Sequence, residues 1–168
     1  MSDPVLFWGG IYSQWYRSPF EVDGVFYRTA EHFMMAEKAR TFKDEAALAA
    51  ILKTRDPSDA KALGRQIANW SEPVWQQVRF PAVCRGSYEK FRQNEELLQE
   101  LLSTGDREIV EASPYDKIWG VGLDETAAMR WYCDQVNGGE CLPEFVTWPG
   151  LNLLGKAIMA ARTMLTPQ

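Results

Sequence analysis

Apolar and polar positions follow a short period near the start of the chain and a helical period through most of the remainder. An apolar run at residues 5–8 predicts a short strand, which the Gly9-Gly10 turn ends. Two extended runs within residues 19–27 flank Asp23-Gly24, a dipeptide that favours tight turns with positive φ. The pattern therefore predicts a β-hairpin that leads into a helix, with Thr29 placed to cap the first helical turn.

The middle of the chain has the spacing of a series of helices. Because proline removes a backbone donor and crowds the preceding turn, Pro81 is expected to interrupt the third of them. The leucines of the last one share a face, which predicts that this side is buried. The five segments are residues 44–53, 57–67, 71–80, 82–92 and 95–103.

The pattern changes after residue 107. Residues 108–112 predict a strand, and residues 117–123 predict a second extended segment. That second segment contains Gly120 and Gly122, which is unusual for a core strand. Glycine permits a close approach to the backbone, either by another segment or by a ligand.

The end of the chain completes a prediction of the fold class. Residues 124–150 are interpreted as an elaboration with a helix at about 127–136, and a final helix covers about 152–165. The predicted fold is α+β and mostly helical, with a few short strands. At 168 residues, the chain has the length of one sizeable core, so a single domain of residues 1–168 is expected.

Composition narrows the class of protein. No apolar run approaches the roughly 20 residues of a membrane helix, and the first residues lack the pattern of a signal peptide. We therefore expect a soluble, cytoplasmic protein that does not bind a membrane. Cys84, Cys133 and Cys141 are widely spaced and odd in number, which favours free thiols over disulfides or a zinc site.

The charge and the aromatic content point to a small ligand. A net charge of −5 and a pI near 5.0 argue against a protein that grips a long stretch of nucleic acid. Seven tryptophans and an aromatic share of 12% are compatible with stacking on a flat heterocycle. Core packing is the ordinary explanation for most of these rings.

The segment of residues 29–39 carries the most distinctive polar residues. It holds the single histidine, His32, and it places Lys38 seven residues after Glu31. Seven residues fall about 20° short of two helical turns, so the two charges share a stripe and lie roughly 10 Å apart along the axis. They could bracket a ligand. The alternative is a solvated helix face, which commonly carries Glu and Lys.

Two further polar clusters lie in segments that otherwise look buried. Asp116 precedes Trp119, and Asn152 begins the last helix one turn before Lys156. Asp116 could instead close an Asx turn, and Asn152 could cap its helix. Arg65 and Arg162 are possible phosphate partners, although surface ion pairing explains them equally well.

Four motifs taken together resemble one family. They are Thr-Ala-Glu-His-Phe-Met-Met-Ala-Glu-Lys-Ala at 29–39, Ala-Leu-Gly-Arg at 62–65, Val-Glu-Ala-Ser-Pro-Tyr-Asp-Lys-Ile-Trp-Gly-Val-Gly-Leu at 110–123, and Asn-Leu-Leu-Gly-Lys-Ala-Ile-Met at 152–159. In this order they resemble the NADAR family, also called YbiA-like. Two departures stand out. Gln14 follows Ser13 where the family often has Asn, and the elaboration at about 124–150 is longer than in compact members.

The resemblance implies an N-glycosidase with the YbiA-like fold. One branch of the family acts on phosphorylated ribosylamino-pyrimidine intermediates of riboflavin biosynthesis and releases ribose 5-phosphate. Another branch removes ADP-ribose from guanine in nucleic acid, and a non-catalytic ADP-ribose-binding module is a further alternative. We expect a small-molecule ribosyl-phosphate substrate, no cofactor and no metal, and the oligomeric state stays open.

The resemblance also suggests roles for individual residues. Glu31 and Asp116 are candidates for acid catalysis and for stabilising positive charge on the sugar. Lys38 is a third catalytic candidate, as a nucleophile that forms a Schiff base, as an acid or as a phosphate partner. The candidate substrate-binding residues are His32, Arg65, Trp119, Asn152 and Lys156. His32 could instead be a hydrogen-bonded core histidine that positions its helix.

Overall fold

The structure is a computed structural model that describes residues 3–137 and 146–167. Cys141 and part of the predicted elaboration therefore lie outside the described residues. Seven α-helices and four short strands occur in the described part of the chain. In order they are β1 (Val5–Phe7), β2 (Phe20–Val22), β3 (Val25–Tyr27), α1 (Ala30–Thr41), α2 (Glu45–Lys53), α3 (Pro57–Gly64), α4 (Glu72–Arg92), α5 (Glu95–Ser103), β4 (Ile109–Glu111), α6 (Glu125–Asn137) and α7 (Leu153–Leu165).

Helix α1 lies at the centre of the molecule. It packs against α2, α3 and α4, while α4 packs along α7. Its first turn begins where the sequence predicts, because the Thr29 hydroxyl accepts a hydrogen bond from the His32 amide at 3.3 Å. The preceding hairpin also forms as predicted, with positive φ at Asp23 and Gly24 and with Phe20 paired to Tyr27. The mostly helical α+β fold is confirmed.

The predicted interruption at Pro81 is wrong, because α4 continues through it to Arg92. Proline removes the hydrogen bond to the carbonyl four residues earlier, which belongs to Gln77. Pro81 and Gln77 are both exposed, so this carbonyl lies on the solvent side of the helix. Trp75 and Phe91 are buried on either side of the proline, and their packing holds the two halves in one helix.

The predicted extended segment at residues 117–123 is also not a strand. Its carbonyl groups instead satisfy the free amides at the start of α7, since Ile118 and Trp119 accept hydrogen bonds from Leu153 and Leu154 at 3.1 and 3.0 Å. Gly120 allows another segment to approach, because a Cβ there would lie 2.8 Å from the Glu111 carbonyl oxygen. This segment is therefore a loop that follows β4 in the chain and forms hydrogen bonds with both β4 and the start of α7.

Strand β4 connects the sheet to the last helix. It pairs in parallel with β1, and Val110 lies opposite Leu6. On its other edge the Asn152 side chain replaces a strand: Nδ2 donates to the Ile109 carbonyl at 2.9 Å and Oδ1 accepts from the Glu111 amide at 3.0 Å. Both edges of β4 are thus fixed by hydrogen bonds.

Among the residues described, none of the helices combines the length and the apolar character that crossing a membrane requires.

Candidate active site

A cleft of about 560 Å³ opens where several elements end. The residues that form it come from the loop after β1, the first turns of α1, the end of α3, the segment after β4 and the start of α7. They are Trp8, Ser13, Gln14, Trp15, Glu31, Met34, Met35, Lys61, Arg65, Glu111, Ser113, Tyr115, Asp116, Ile118, Trp119 and Leu154. Three carboxyl groups and two cations therefore share one aromatic-walled cleft.

Glu31 lies in the first turn of α1 and is only 5% exposed. Its amide donates a hydrogen bond to the Gln14 carbonyl at 2.9 Å, which ties α1 to the loop opposite. Burial raises the pKa of Glu31 to about 7, although Lys61 and Arg65 oppose this rise. A carboxyl group in this state can hold or release a proton near neutral pH.

Glu111 is a second carboxyl group in the cleft, half-buried, and the sequence reasoning did not single it out. Burial raises its pKa to about 7, and the charges of Asp116 and Glu31 act in the same direction. Its Oε2 is buried without a hydrogen-bond partner among the described residues. An acidic residue directly after the apolar pair Ile109-Val110 of the predicted strand was the signal that could have identified it.

The predicted residue Asn152 acts on Glu111 through the backbone. Asn152 is 1% exposed and does not line the cleft. Because its Oδ1 accepts from the Glu111 amide, it fixes the backbone from which the carboxyl group extends. The φ of Asn152 is 51°, a left-handed value that Asn adopts more readily than most residues.

Asp116 and Trp119 both line the cleft, as predicted from the sequence. Asp116 also closes the Asx turn that was the alternative interpretation, since its Oδ1 accepts from the Ile118 and Trp119 amides at 2.7 and 2.8 Å. The turn therefore orients the Asp116 carboxylate and the Trp119 ring together.

Two cations of α3 and its C-cap face the carboxyl groups. Arg65 was a predicted phosphate partner, and Lys61, one turn earlier, was not predicted. The Lys61 ammonium lies 5.7 Å from the centre of the Trp15 ring, which keeps it against the cleft wall. The two cations bring positive charge into the cleft of an acidic protein.

Lys38 is not brought into the cleft. Its Nζ donates a hydrogen bond to the Gly64 carbonyl at 2.6 Å and lies 3.9 Å from the centre of the Trp70 ring. Burial lowers the pKa of Lys38, and the charges of Glu72 and Glu31 oppose this. The helical spacing correctly placed Glu31 and Lys38 in one helix, but the Lys38 ammonium group binds a carbonyl group of α3.

His32 also lies outside the cleft. Its Nδ1 is 2.8 Å from the Thr29 hydroxyl and its Nε2 is 3.0 Å from the Thr54 hydroxyl. Since the Thr54 hydroxyl donates to the Ile51 carbonyl, it accepts from Nε2–H, and Nδ1 accepts from Thr29. Burial lowers the pKa of His32, which favours this neutral form. The ring thus joins the start of α1 to the end of α2.

The remaining predicted cations lie elsewhere. Lys156 is exposed on α7 and does not line the cleft. Arg162 donates hydrogen bonds to the Thr104 hydroxyl at 2.6 Å and to the Arg107 carbonyl at 2.9 Å, which is a structural role. In residues 3–137 and 146–167, no three His, Cys, Asp or Glu side chains are grouped as metal ligands.

Paired carboxyl groups with raised pKa and two nearby cations are the groups that acid–base chemistry on an anionic substrate requires. Residues 6–166 match the NADAR domain family. N-glycosidase R617 of Acanthamoeba polyphaga mimivirus is 39% identical over 157 residues, which cover 90% of this chain and 85% of the viral protein. The chain therefore belongs to the NADAR family, and the resemblance drawn from its motifs is confirmed.

Two further comparisons extend this result. The NMR structure of Escherichia coli YbiA is 27% identical and has a TM-score of 0.74, over 98% of this chain and 86% of YbiA. The riboflavin biosynthesis protein VVA0006 of Vibrio vulnificus is 31% identical over 129 residues, which cover 74% of this chain but 34% of that protein. The YbiA-like fold and the class of enzyme, a hydrolase of N-glycosyl bonds, are confirmed.

Proposed function

We propose that the enzyme hydrolyses the N-glycosidic bond of a phosphorylated ribosylamino-pyrimidine intermediate of riboflavin biosynthesis and releases ribose 5-phosphate. The observation that carries this proposal is the pair of cleft carboxyl groups with raised pKa, Glu31 and Glu111, which share the cleft with the cations Lys61 and Arg65. The name of the Vibrio vulnificus relative supports the pathway.

The two glutamates have different roles: one donates a proton, and the other stabilises positive charge on the sugar. Because like charges in a shared buried site disfavour double ionisation, one carboxyl group holds a proton near neutral pH while the other is ionised. The neutral group donates its proton to the nitrogen as the bond to the anomeric carbon breaks. The ionised group stabilises positive charge on the sugar, and water then adds to the anomeric carbon. Asp116, at the edge of the cleft, accepts the proton of this water.

The cleft also has groups for the two ends of the substrate. A guanidinium forks onto phosphate oxygens, so Arg65 binds the 5-phosphate together with Lys61. Trp119 stacks on the pyrimidine or covers the sugar. A substrate with one phosphate and one flat ring matches a cleft whose walls carry two cations and several aromatic rings.

An imine route through Lys38 is the alternative mechanism. The amine would attack the anomeric carbon of a ring-opened ribose, and water would later release the sugar. In the structure the Lys38 side chain would first have to leave the Gly64 carbonyl. Borohydride treatment followed by intact-mass measurement tests this route. A sugar adduct in the wild type and in Lys53→Ala, but not in Lys38→Ala, would replace the acid–base mechanism with the imine.

The aromatic rim of the cleft favours a second candidate, an ADP-ribosyl-guanine glycosidase. Trp8 is 54% exposed and Tyr115 is 87% exposed, and their ring centres lie 6.0 Å apart. A flipped guanine or an adenine could stack on them. A side-by-side assay of the riboflavin intermediate and ADP-ribosylated guanine DNA distinguishes the two substrates. No release from either would favour the non-catalytic ADP-ribose-binding module.

Glutamine substitutions test whether Glu31 and Glu111 take part in the reaction. Glu31→Gln and Glu111→Gln should each lower ribose 5-phosphate release by about two orders of magnitude or more, because the amide can neither give up a proton nor carry the negative charge. Glu37→Gln in α1 and Glu108→Gln beside β4 are matched controls, since neither residue lines the cleft. Near-normal turnover in a folded Glu31 or Glu111 variant would remove that residue from the mechanism.

A further inference from the structure

Lys90 is a buried cation that the proposed mechanism does not use. It lies in the last turn of α4 and is only 1% exposed. Its Nζ donates a hydrogen bond to the Ser13 carbonyl at 2.9 Å, and no ion pair joins it to a carboxylate among the described residues. A buried ammonium without a counter-charge lowers stability, and burial accordingly lowers the pKa of Lys90 to about 7.

The carbonyl that Lys90 contacts belongs to one wall of the cleft. Ser13, Gln14 and Trp15 all line the cleft. The Gln14 carbonyl accepts the Glu31 amide at 2.9 Å, so this loop touches the turn that carries the catalytic carboxyl group. Two successive hydrogen bonds therefore connect the end of α4 with Glu31.

The end of α4 also holds the chain at points farther from the cleft. The Gln93 amide group donates to the Glu21 carbonyl at 2.8 Å and accepts from the Glu21 amide at 2.9 Å. Asn94 donates to the Pro19 carbonyl at 3.1 Å. Gln93 therefore offers a matched control, because it binds the backbone of another N-terminal residue, Glu21, from the same helix end without touching a cleft-lining residue.

We propose that Lys90 is a positioning residue that fixes the wall of residues 13–15 against the first turn of α1. The inference rests on the proposed N-glycosidase function for its effect on turnover. The wall sets the position of Glu31 relative to the anomeric carbon, and misplacing a catalytic group by about 1 Å can lower the rate by about 100-fold. The retained ammonium thus has a use that outweighs its unfavourable burial.

The test compares Lys90→Met with Gln93→Met by two measurements. The Ser13 carbonyl also accepts a hydrogen bond from the Tyr16 amide at 3.2 Å. Backbone amide exchange should become about fivefold or more faster at Glu31 and Tyr16 in Lys90→Met, because this carbonyl loses its anchor. In Gln93→Met the faster exchange should be confined to Glu21. The value of kcat/KM for ribose 5-phosphate release should fall by about 10- to 100-fold in Lys90→Met and stay within about twofold of the wild type in Gln93→Met.

The two measurements separate the possible failures. Unchanged exchange at Glu31 in Lys90→Met, or an equal loss of kcat/KM in Gln93→Met, would overturn the positioning role. Lys90→Gln, which is polar but shorter, carries the same expectation, and global unfolding of both Lys90 variants would also overturn the proposal. If the wild type releases no ribose 5-phosphate, the proposed function fails, while the exchange data still decide whether Lys90 holds the wall.

Discussion

At the scale of single residues, the charge on Lys61 affects the pKa of the two glutamates in the cleft. It lowers the pKa of Glu31 and of Glu111, against the larger effect of burial in both cases. The neutral acid is lost as the pH rises through about 7, so kcat/KM should fall on the alkaline side of that value. Lys61 therefore sets the position of this alkaline limb.

Replacing Lys61 with Met should move the alkaline limb to higher pH by about 0.5 to 1 unit. Without the cation, each glutamate holds its proton more tightly. The measurement is the pH dependence of kcat/KM for ribose 5-phosphate release, with the exposed Lys53→Met as the control. A limb that stays in place would show that these carboxyl groups do not govern the rate. KM should also rise, because Lys61 is a proposed phosphate partner.

His32 makes a second residue-scale case, in which stability and activity separate. His32→Ala removes the ring between Thr29 and Thr54 and should lower the free energy of unfolding by about 2 to 4 kcal/mol. Urea unfolding measures this loss, and Thr54→Val should show a smaller one. Well below the unfolding midpoint, kcat/KM should stay near the wild-type value. A large rise in KM would restore the substrate-binding role that the sequence suggested.

At the scale of elements, local signals were sufficient for the start of α1 and for the hairpin. The Thr29 cap and the Asp23-Gly24 turn depend on residues close in sequence, so the pattern predicts both. Pro81 was misread because packing of α4 against α7 outweighs a local helix-breaking effect. Residues 117–123 were misread because their hydrogen-bond partners lie at the start of α7, far along the chain.

The candidate site also combines residues that the sequence predicts with residues that only the tertiary structure brings together. Glu31, Asp116, Trp119 and Arg65 were predicted and line the cleft. Helical spacing specifies which residues share a face of α1, but it does not specify that α3 receives Lys38. Glu111 and Lys61 enter the site only because β4 and α3 reach the same cleft as the first turn of α1. Their roles in catalysis and binding remain predictions.

Gly155 lies where α7 passes close to the backbone of β4. A Cβ at this position would overlap the Ile109 carbonyl oxygen and lie 2.5 Å from Asn152 Oδ1. Gly155→Ala should therefore lower the free energy of unfolding by about 2 to 4 kcal/mol despite the higher helix propensity of alanine. It should also lower kcat/KM, because the clash disturbs the residue that fixes the Glu111 backbone.

Lys156→Ala is the control for this element, since Lys156 is the exposed neighbour of Gly155. It should leave the unfolding midpoint and kcat/KM close to those of the wild type. A raised KM in Lys156→Ala would support the substrate contact suggested by the sequence. Wild-type stability in Gly155→Ala would mean that α7 and β4 do not pack this closely.

At the scale of the whole molecule, the ionisable groups around the cleft affect stability in opposite pH ranges. Folding raises the pKa of Glu31 and Glu111 to about 7 from an ordinary value of about 4. The folded protein then binds more protons than the unfolded chain, so stability falls as the pH rises through this range. Folding lowers the pKa of Lys90 to about 7 from about 10, so stability rises with pH between these values.

The wild type should therefore have a shallow minimum of thermal stability near pH 7, where both glutamates have begun to ionise and Lys90 still carries much of its charge. His32, whose lowered pKa disfavours folding in acid, opposes two glutamates and should only reduce the acid-side slope. Circular dichroism melting between about pH 5 and 9 measures the curve. Glu31→Gln with Glu111→Gln should reduce the slope on the acid side. Lys90→Met should reduce the slope on the alkaline side, where Lys38, whose pKa burial also lowers, continues to contribute. A stability maximum near pH 7 in the wild type would contradict the opposite pH dependences that the glutamates and Lys90 give to stability.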